Sequence, residues 1–75
     1  MRKEVLKKLL LRDPCPILRL HLSNGLTFDI ENSDLAVVTN TTVEALLPPA
    51  LGHHREAVIS LLHIIWVEVL TPPAS

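Results

Sequence analysis

The sequence predicts a mainly β fold in which one N-terminal helix precedes a strongly bent antiparallel sheet. Apolar and polar residues alternate over residues 17–22 and again over residues 26–31, which is the period of half-buried strands. A helical period of leucines comes first, and prolines separate it from the strands. At 75 residues the chain has the length of one domain with a small core.

The helix is predicted over residues 2–12, within an N-terminal segment 1–13. Four residues spaced three or four apart form one apolar stripe: Val5, Leu6, Leu9 and Leu10. Leu11 falls off this stripe. Pro14 and Pro16 end the helix, because proline lacks the amide that a continuing helix requires.

The first two strands form a hairpin with only one good register. Closing the turn on Asn24-Gly25 alone would place every leucine opposite a polar residue. A three-residue loop, Ser23-Asn24-Gly25 with a left-handed glycine, instead pairs apolar residues with each other: Leu22 with Leu26, Leu20 with Phe28, and Leu18 with Ile30. This register buries Phe28. It also sets Arg19 opposite Asp29 on the solvent face, a favourable cross-strand pair.

Three further strands are predicted beyond the hairpin. The polar turn at residues 32–34 leads into one long third strand over residues 35–47, which are rich in threonine and valine. Residues 48–54 are predicted as a loop, since Pro48-Pro49 cannot join a central ladder. Residues 56–61 and 63–70 are predicted as strands four and five with almost no spacer, and residues 71–75 as a flexible tail.

The composition predicts a homo-oligomer. Hydrophobic residues make up 48% of the chain and the mean hydropathy is +0.35, which is high for a domain with so small an interior. The last strand is apolar on both faces, which is typical of a strand that is central in the fold or covered by another subunit. The longest apolar run, residues 57–67, is too short to span a membrane, and no secretory signal pattern is present. We expect a cytoplasmic protein without a membrane partner.

The charge is distributed unevenly although the net charge is only -1. Residues 1–12 carry a net +4 and the remainder carries -5. The candidate nucleic-acid-binding residues are the cations of the first segment: Arg2, Lys3, Lys7, Lys8 and Arg12. The alternative is a solvated helix face without a role in nucleic-acid binding.

No catalytic, cofactor or metal site is predicted. Cys15 is the single cysteine and stands between two prolines, so it is interpreted as a small apolar residue. The rings of His53 and His54 would point to opposite sides of an extended segment and cannot easily chelate one ion. Ser60 and His63 lie too close along the chain to form an obvious nucleophile and base, and no phosphate loop or nucleophile elbow is present. We therefore expect a protein that is not an enzyme.

The order of elements resembles the Sm-like family, which includes the bacterial RNA chaperone Hfq. Five stretches carry the resemblance: residues 5–8 before the barrel, 20–25 at the first turn, 34–38 entering the third strand, and 57–60 and 63–67 as strands four and five. The resemblance implies a five-stranded, SH3-like barrel over residues 16–70, assembled into a ring in which strand five of one subunit pairs with strand four of the next. The oligomer interface is then expected at Ala57, Val58, Ile59, Ile64, Ile65, Trp66 and Val67.

Rings of this family commonly bind uridine-rich or adenine-rich RNA. In this chain the positions of the family's base pocket carry other residues: Asp29 at the glycine after the hairpin, Val38 at the RNA-contacting asparagine, Ala36 at the aromatic position, Ser60-Leu61 at the arginine-glycine step, and Arg55-Glu56-Ala57 at the Tyr-Lys-His signature of Hfq. Two predictions follow for function. One is a ring that binds RNA through its basic helix, and the other is a structural or protein-interaction module without nucleic-acid binding.

Overall fold

The computed structural model describes residues 1–71 and contains one helix and six strands. The elements are α1 (Lys3–Leu10), β1 (Ile17–Leu22), β2 (Thr27–Ile30), β3 (Ala36–Val38), β4 (Thr42–Ala50), β5 (His53–Ser60) and β6 (Ile64–Leu70). Short 3-10 turns at Ser33–Leu35 and Leu61–His63 precede β3 and β6. The predicted tail at residues 71–75 lies outside the described residues except for Thr71. No helix in the described part of the chain is long and apolar enough to cross a bilayer.

The strands form two three-stranded antiparallel sheets. Sheet 1 has the order β2-β1-β6 and sheet 2 has the order β3-β4-β5. The mainly β class with an N-terminal helix is therefore confirmed. The predicted five-stranded barrel is not, because the strands of residues 1–71 form two separate sheets and no closed barrel. The predicted long third strand is wrong, because β3 and β4 are separate strands joined by a tight turn.

The first hairpin has the predicted register. Leu18 pairs with Ile30, Arg19 with Asp29, and Leu20 with Phe28. Gly25 has a φ of 86°, and the amide of Leu22 donates to the carbonyl of Leu26 at 3.0 Å. The three-residue loop is favoured because it keeps Leu18, Leu20 and Leu22 on the buried side of the sheet.

Helix α1 packs its apolar stripe onto the core between the sheets. Leu6 and Leu10 are buried and Leu9 is half-buried, whereas Val5 is exposed at the edge of the stripe. Both sheets contribute to the core. Outside the helix its buried residues are Leu18, Leu20, Leu22, Ile30, Val43, Ala45, Ile59, Leu61 and Ile64. The helix is shorter than the predicted 2–12, because it ends at Leu10 and Leu11 forms its C-terminal cap before the prolines.

A threonine turn divides the predicted third strand. The Thr39 hydroxyl accepts hydrogen bonds from the amides of Thr41 and Thr42, at 3.3 and 2.9 Å. The amide of Thr39 also donates to the carbonyl of Thr42 at 2.8 Å, which closes a two-residue hairpin loop. Threonine favours strands through its branched Cβ, but here its hydroxyl satisfies the backbone of a turn.

The predicted loop at residues 48–54 is also wrong. Strand β4 continues through Pro48 and Pro49 to Ala50, and a turn at Leu51-Gly52 leads directly into β5. The prolines are tolerated because β3 pairs only with residues 43–45, so the distal half of β4 has a neighbour on one side only. The pairing of β4 with β5 is irregular between Leu47 and Ala50, because the two prolines there have no amide hydrogen to donate. Strands four and five of the prediction correspond to β5 and β6.

Candidate functional site

The outer strands β5 and β6 are the main candidate site because each has hydrogen-bonding groups on an open edge. Each pairs with a single neighbour within residues 1–71. The alternation of antiparallel hydrogen bonds identifies which amides point outward. The amide of Leu61 donates to the carbonyl of Thr41 at 2.9 Å. The backbone groups of Ala57 and Ile59 therefore also point to β4, and those of Glu56, Val58 and Ser60 point away from the sheet.

The same reasoning applies to β6. The amide of Leu22 donates to the carbonyl of Leu26 in the first hairpin. The backbone groups of the even-numbered residues of β1 therefore point to β2, and those of the odd-numbered residues point to β6. Arg19 and His21 oppose Glu68 and Trp66, whose backbone groups therefore point into sheet 1. The intervening Val67 and its neighbour Val69 present their backbone groups to solvent. An unpaired row of this kind can accept another strand.

The seven predicted interface residues divide into two groups in the structure. Ile59 and Ile64 are buried in the chain's own core, and Ala57 and Val67 are half-buried against it. The other three have exposed side chains: Val58 at 62%, Ile65 at 66% and Trp66 at 49%. A contact between copies at these edges would thus use the side chains of the exposed three and the outward backbone groups of Val67. The backbone groups of Ala57 and Ile59 are already bonded to β4.

The open edges differ from each other in how well they are protected. Strand β2 has four residues and its outward-facing Asp29 is charged, while the distal half of β4 contains two prolines. Both features oppose strand addition. Strand β6 has neither a proline nor a lysine, and the last four residues of β5, Ala57 to Ser60, are uncharged. Strand β3, the other outer strand of sheet 2, has only three residues. The edges of β5 and β6 are therefore the longest edges within residues 1–71 that lack these protections.

On the solvent face of sheet 1, the negative charge of Asp29 is balanced by the positive charge of Arg19. Arg19 donates two hydrogen bonds to Asp29, at 2.9 and 3.1 Å, so the predicted pair is present. The hydrogen bond from Arg19 holds the pKa of the Asp29 carboxyl below its usual range, against a smaller opposing effect of desolvation. The reciprocal bond raises the pKa of Arg19.

The single tryptophan lies on the same face and is stacked on a histidine. The ring centroids of His21 and Trp66 are 3.9 Å apart and the ring planes differ by 8°. The Nε2 atom of His21 lies 3.1 Å from Oε1 of Glu68. One face of the indole is therefore covered within the chain, which leaves less of it for stacking on a nucleobase.

An open groove of about 890 Å³ separates β2 from the distal half of β4. Phe28, which was predicted to be buried, is half-buried and lines this groove. Leu47 and Pro48 form part of the opposite wall, and Arg55 donates to the carbonyl of Pro48 at 3.0 Å. The ring of Phe28 is covered on its core side, so it does not form an exposed stacking platform.

The predicted nucleic-acid-binding residues are on or beside α1. Lys3 is half-buried and its Nζ donates to Oδ1 of Asn40 at 2.6 Å. The other four, Arg2, Lys7, Lys8 and Arg12, are exposed. Both ion pairs found within residues 1–71 lie on sheet 1, so none of these cations has an acidic partner there.

The remaining polar candidates are separated in space. His53 and His54 are exposed at the start of β5, and residues 1–71 contain no group of three side chains suited to hold a metal ion. Cys15 is half-buried and its thiol donates to the carbonyl of Pro16 at 3.4 Å. These positions provide no chemistry that the sequence did not already indicate.

A contact between Ser23 and His63 was not predicted. Oγ of Ser23 lies 3.2 Å from Nδ1 of His63, and the amide of Ser23 donates to the carbonyl of His63 at 2.8 Å. Forty residues separate the two, so no local motif indicates the contact. A serine and a histidine at this distance resemble a nucleophile and base, but the described residues place no carboxylate on the other ring nitrogen. We interpret the contact as a tie between the first turn and the turn before β6.

Comparisons with known proteins give no match. No family model, no curated protein and no solved structure matches this chain. The function is therefore argued from the geometry of the edges and surfaces described above.

Proposed function

We propose that the protein is a non-enzymatic, self-assembling module of the Sm-like kind, in which β5 of one copy pairs with β6 of the next. The observation that carries this proposal is the presence of two unprotected strand edges on one chain. Two different edges that pair with each other form a head-to-tail contact, and a head-to-tail contact closes into a ring when its rotation permits. Closure would remove every unprotected edge from solvent.

The order of strands supports this proposal. If β2, the turn Ser33–Leu35 and β3 are counted as one bent strand, the chain has an N-terminal helix and five strands. That is the order on which the resemblance to the Sm-like family rests. A short 3-10 turn also separates the last two strands, as the small spacer in the sequence predicted.

The exposed aliphatic side chains supply the energy for the contact. Val58 and Ile65 stand on the two edge strands with about two-thirds of their surface accessible. Covering such side chains is favourable by roughly 25 cal/mol per Å² of apolar surface. Backbone hydrogen bonds between the edges would fix the register of the pairing.

The particle mass tests the proposal. One chain has a mass of 8.3 kDa, so light scattering after size exclusion distinguishes a monomer from a closed assembly. The proposal requires one defined multiple of that mass which persists at high salt, because the contact is made of backbone bonds and apolar side chains. A monomer at all concentrations would refute it.

RNA binding through α1 is a second candidate function, favoured by the four exposed cations that have no acidic partner within residues 1–71. A ring would repeat these cations on one face and attract phosphates. The two aromatic side chains of the chain are half covered, so sequence-specific stacking is not expected. Filter binding of labelled oligonucleotides at two salt concentrations tests this function, with Lys7→Glu/Lys8→Glu as the variant that should lose binding.

A further inference from the structure

The outward side of sheet 2 forms a surface of acidic and apolar side chains. Glu44 pairs with the exposed Val37 in the register of β3 and β4. In the next row the exposed Leu46 pairs with Glu56. We call this surface the acidic face and define it by these four residues together with Asp34.

A shallow concavity of about 140 Å³ lies within this surface. It is lined by three carboxylate side chains, Asp34, Glu44 and Glu56, and by aliphatic residues of β3 and β4. None of its lining residues is a lysine or arginine. Sheet 1 differs in this respect, because its carboxylates are bonded to Arg19 and His21. The acidic face is thus a surface whose negative charge is unbalanced within residues 1–71.

Helix α1 has the complementary character on its outward side. Lys7 and Lys8 are exposed, and Leu11, which follows the helix, is 82% exposed. Arg2 and Arg12 flank them at the two ends. We call this set the basic face. It combines four cations with one large aliphatic side chain, and the exposed Glu4 in the first turn is the one carboxylate of α1. The acidic face combines carboxylates with aliphatic side chains.

The two faces cannot meet within one chain. The buried side of α1, with Leu6 and Leu10, and the buried side of sheet 2, with Val43 and Ile59, belong to the same core. Their opposite sides therefore both point away from that core. Any contact between the basic face and the acidic face has to be made by two copies.

We infer that the acidic face of one copy binds the basic face of α1 in a second copy. The dimensions agree, since an eight-residue helix is about 12 Å long and three strands span roughly 10 Å. Positive charge over negative charge fixes the orientation, and Leu11 provides an apolar contact for Val37 or Leu46. The contact joins two different surfaces, so it is directional and links assemblies in series.

This inference rests on the proposed function, because the contact is strong enough only when a ring makes several copies of it. One short helix on a sheet is smaller than the interfaces of about 1,200 Å² or more that stable complexes use. A ring presents several helices and several acidic faces at once, and their joint binding multiplies the affinity. The contact is electrostatic and should weaken as salt shortens the screening length.

A charge-exchange experiment tests the inference. The helix-reversed variant is Lys7→Glu/Lys8→Glu, and the face-reversed variant is Asp34→Lys/Glu44→Lys. All four positions lie outside β5 and β6, and the ring mass of each variant at high salt checks that edge pairing is retained. In each variant alone, the helix and the face that it should bind carry charges of the same sign and repel each other. In an equal mixture every helix can find an oppositely charged face in the other variant.

The measurement is the particle mass in about 20 mM salt and in about 0.5 M salt. Wild-type protein should form larger particles at the lower concentration and a single ring mass at the higher one. Each variant alone should keep the ring mass at both concentrations. The mixture should regain the larger particles, with a mean mass at least twice that of either variant.

Other outcomes separate the two proposals. A ring mass that never grows at low salt, or a mixture that behaves as its components do, overturns the inference while the proposed assembly stands. A monomer at both salt concentrations overturns the assembly itself. If the helix-reversed variant loses only oligonucleotide binding and retains wild-type particle masses, the basic face is a nucleic-acid site, which also overturns the inference.

Discussion

Substituting Ile65 by lysine should weaken assembly without unfolding the chain. Ile65 lies on β6 at the irregularity in its pairing with β1, and 66% of its surface is exposed. Its side chain therefore contributes little to the core of one copy. A lysine there places a charge on an edge that otherwise has no basic residue, which is a common protection against strand pairing.

The magnitude follows from the exposed fraction. Burying a whole isoleucine side chain contributes about 1.5–3 kcal/mol, so the exposed two-thirds would contribute about 1–2 kcal/mol at each contact. Since 1.4 kcal/mol is a factor of ten, the dissociation constant of each contact should rise by about 5- to 30-fold. Desolvation of the lysine would add to this effect.

The assay is a dilution series followed by light scattering at high salt. Leu11→Lys is the matched control, because Leu11 is even more exposed and lies beside α1, away from both edges. Ile65→Lys should dissociate at a higher protein concentration than either the wild type or the control. Equal dissociation of all three proteins would refute the assignment of β6 as an assembly edge.

Three further predictions concern the fold of one copy. Leu20→Ala removes a fully buried side chain from the centre of β1 and should lower the free energy of unfolding by about 3–5 kcal/mol in urea titrations at high salt; a loss below about 1 kcal/mol would contradict the assigned core. Gly25→Ala meets no neighbouring atom but requires a φ of 86°, so it should cost about 1 kcal/mol in the same titration, and an unchanged midpoint would argue against the left-handed loop. Because Arg19 lowers the pKa of Asp29, the pair stabilises the fold above the carboxyl's unfolded pKa and the contribution is lost as pH falls through the lowered value. Asp29→Asn should therefore lose stability at neutral pH and show a smaller further loss in acid than the wild type, whereas parallel pH profiles would contradict the pair.

The first hairpin could be predicted because its information is local. Only one loop length places the three leucines of β1 on one side, and the glycine is at the position that must be left-handed. The helix was predicted for the same reason, from a stripe that ends at prolines. In both cases the pattern and the turn residue agree on a single arrangement.

The third strand and the proline segment could not be predicted locally. Thr39 has the β propensity of a strand residue, and only its hydrogen bonds in the structure show that it caps a turn. Pro48 and Pro49 fit in β4 because that half of the strand has no neighbour on one side, which depends on where β3 ends.

Among the candidate surfaces, too, some could be predicted from the local sequence and others depend on how the strands pair. The hydrophobic composition predicts an oligomer, and in the structure the final two strands are outer strands of their sheets. The acidic face could not be recognised from the sequence, because Asp34, Glu44 and Glu56 come together only through the pairing of β3, β4 and β5. Likewise, the contact of Ser23 with His63 depends on the packing of two turns that are distant in sequence.

Amide hydrogen exchange of the intact particle, followed by NMR or mass spectrometry, tests the central claim most directly. In one copy the amides of Val58 and Ser60 on β5 and of Val67 and Val69 on β6 point to solvent. If β5 and β6 pair between copies, these amides should exchange at least as slowly as that of Ile59, which bonds within sheet 2. Fast exchange at all four positions, beside a protected Ile59, would show that the edges are open and would contradict the account.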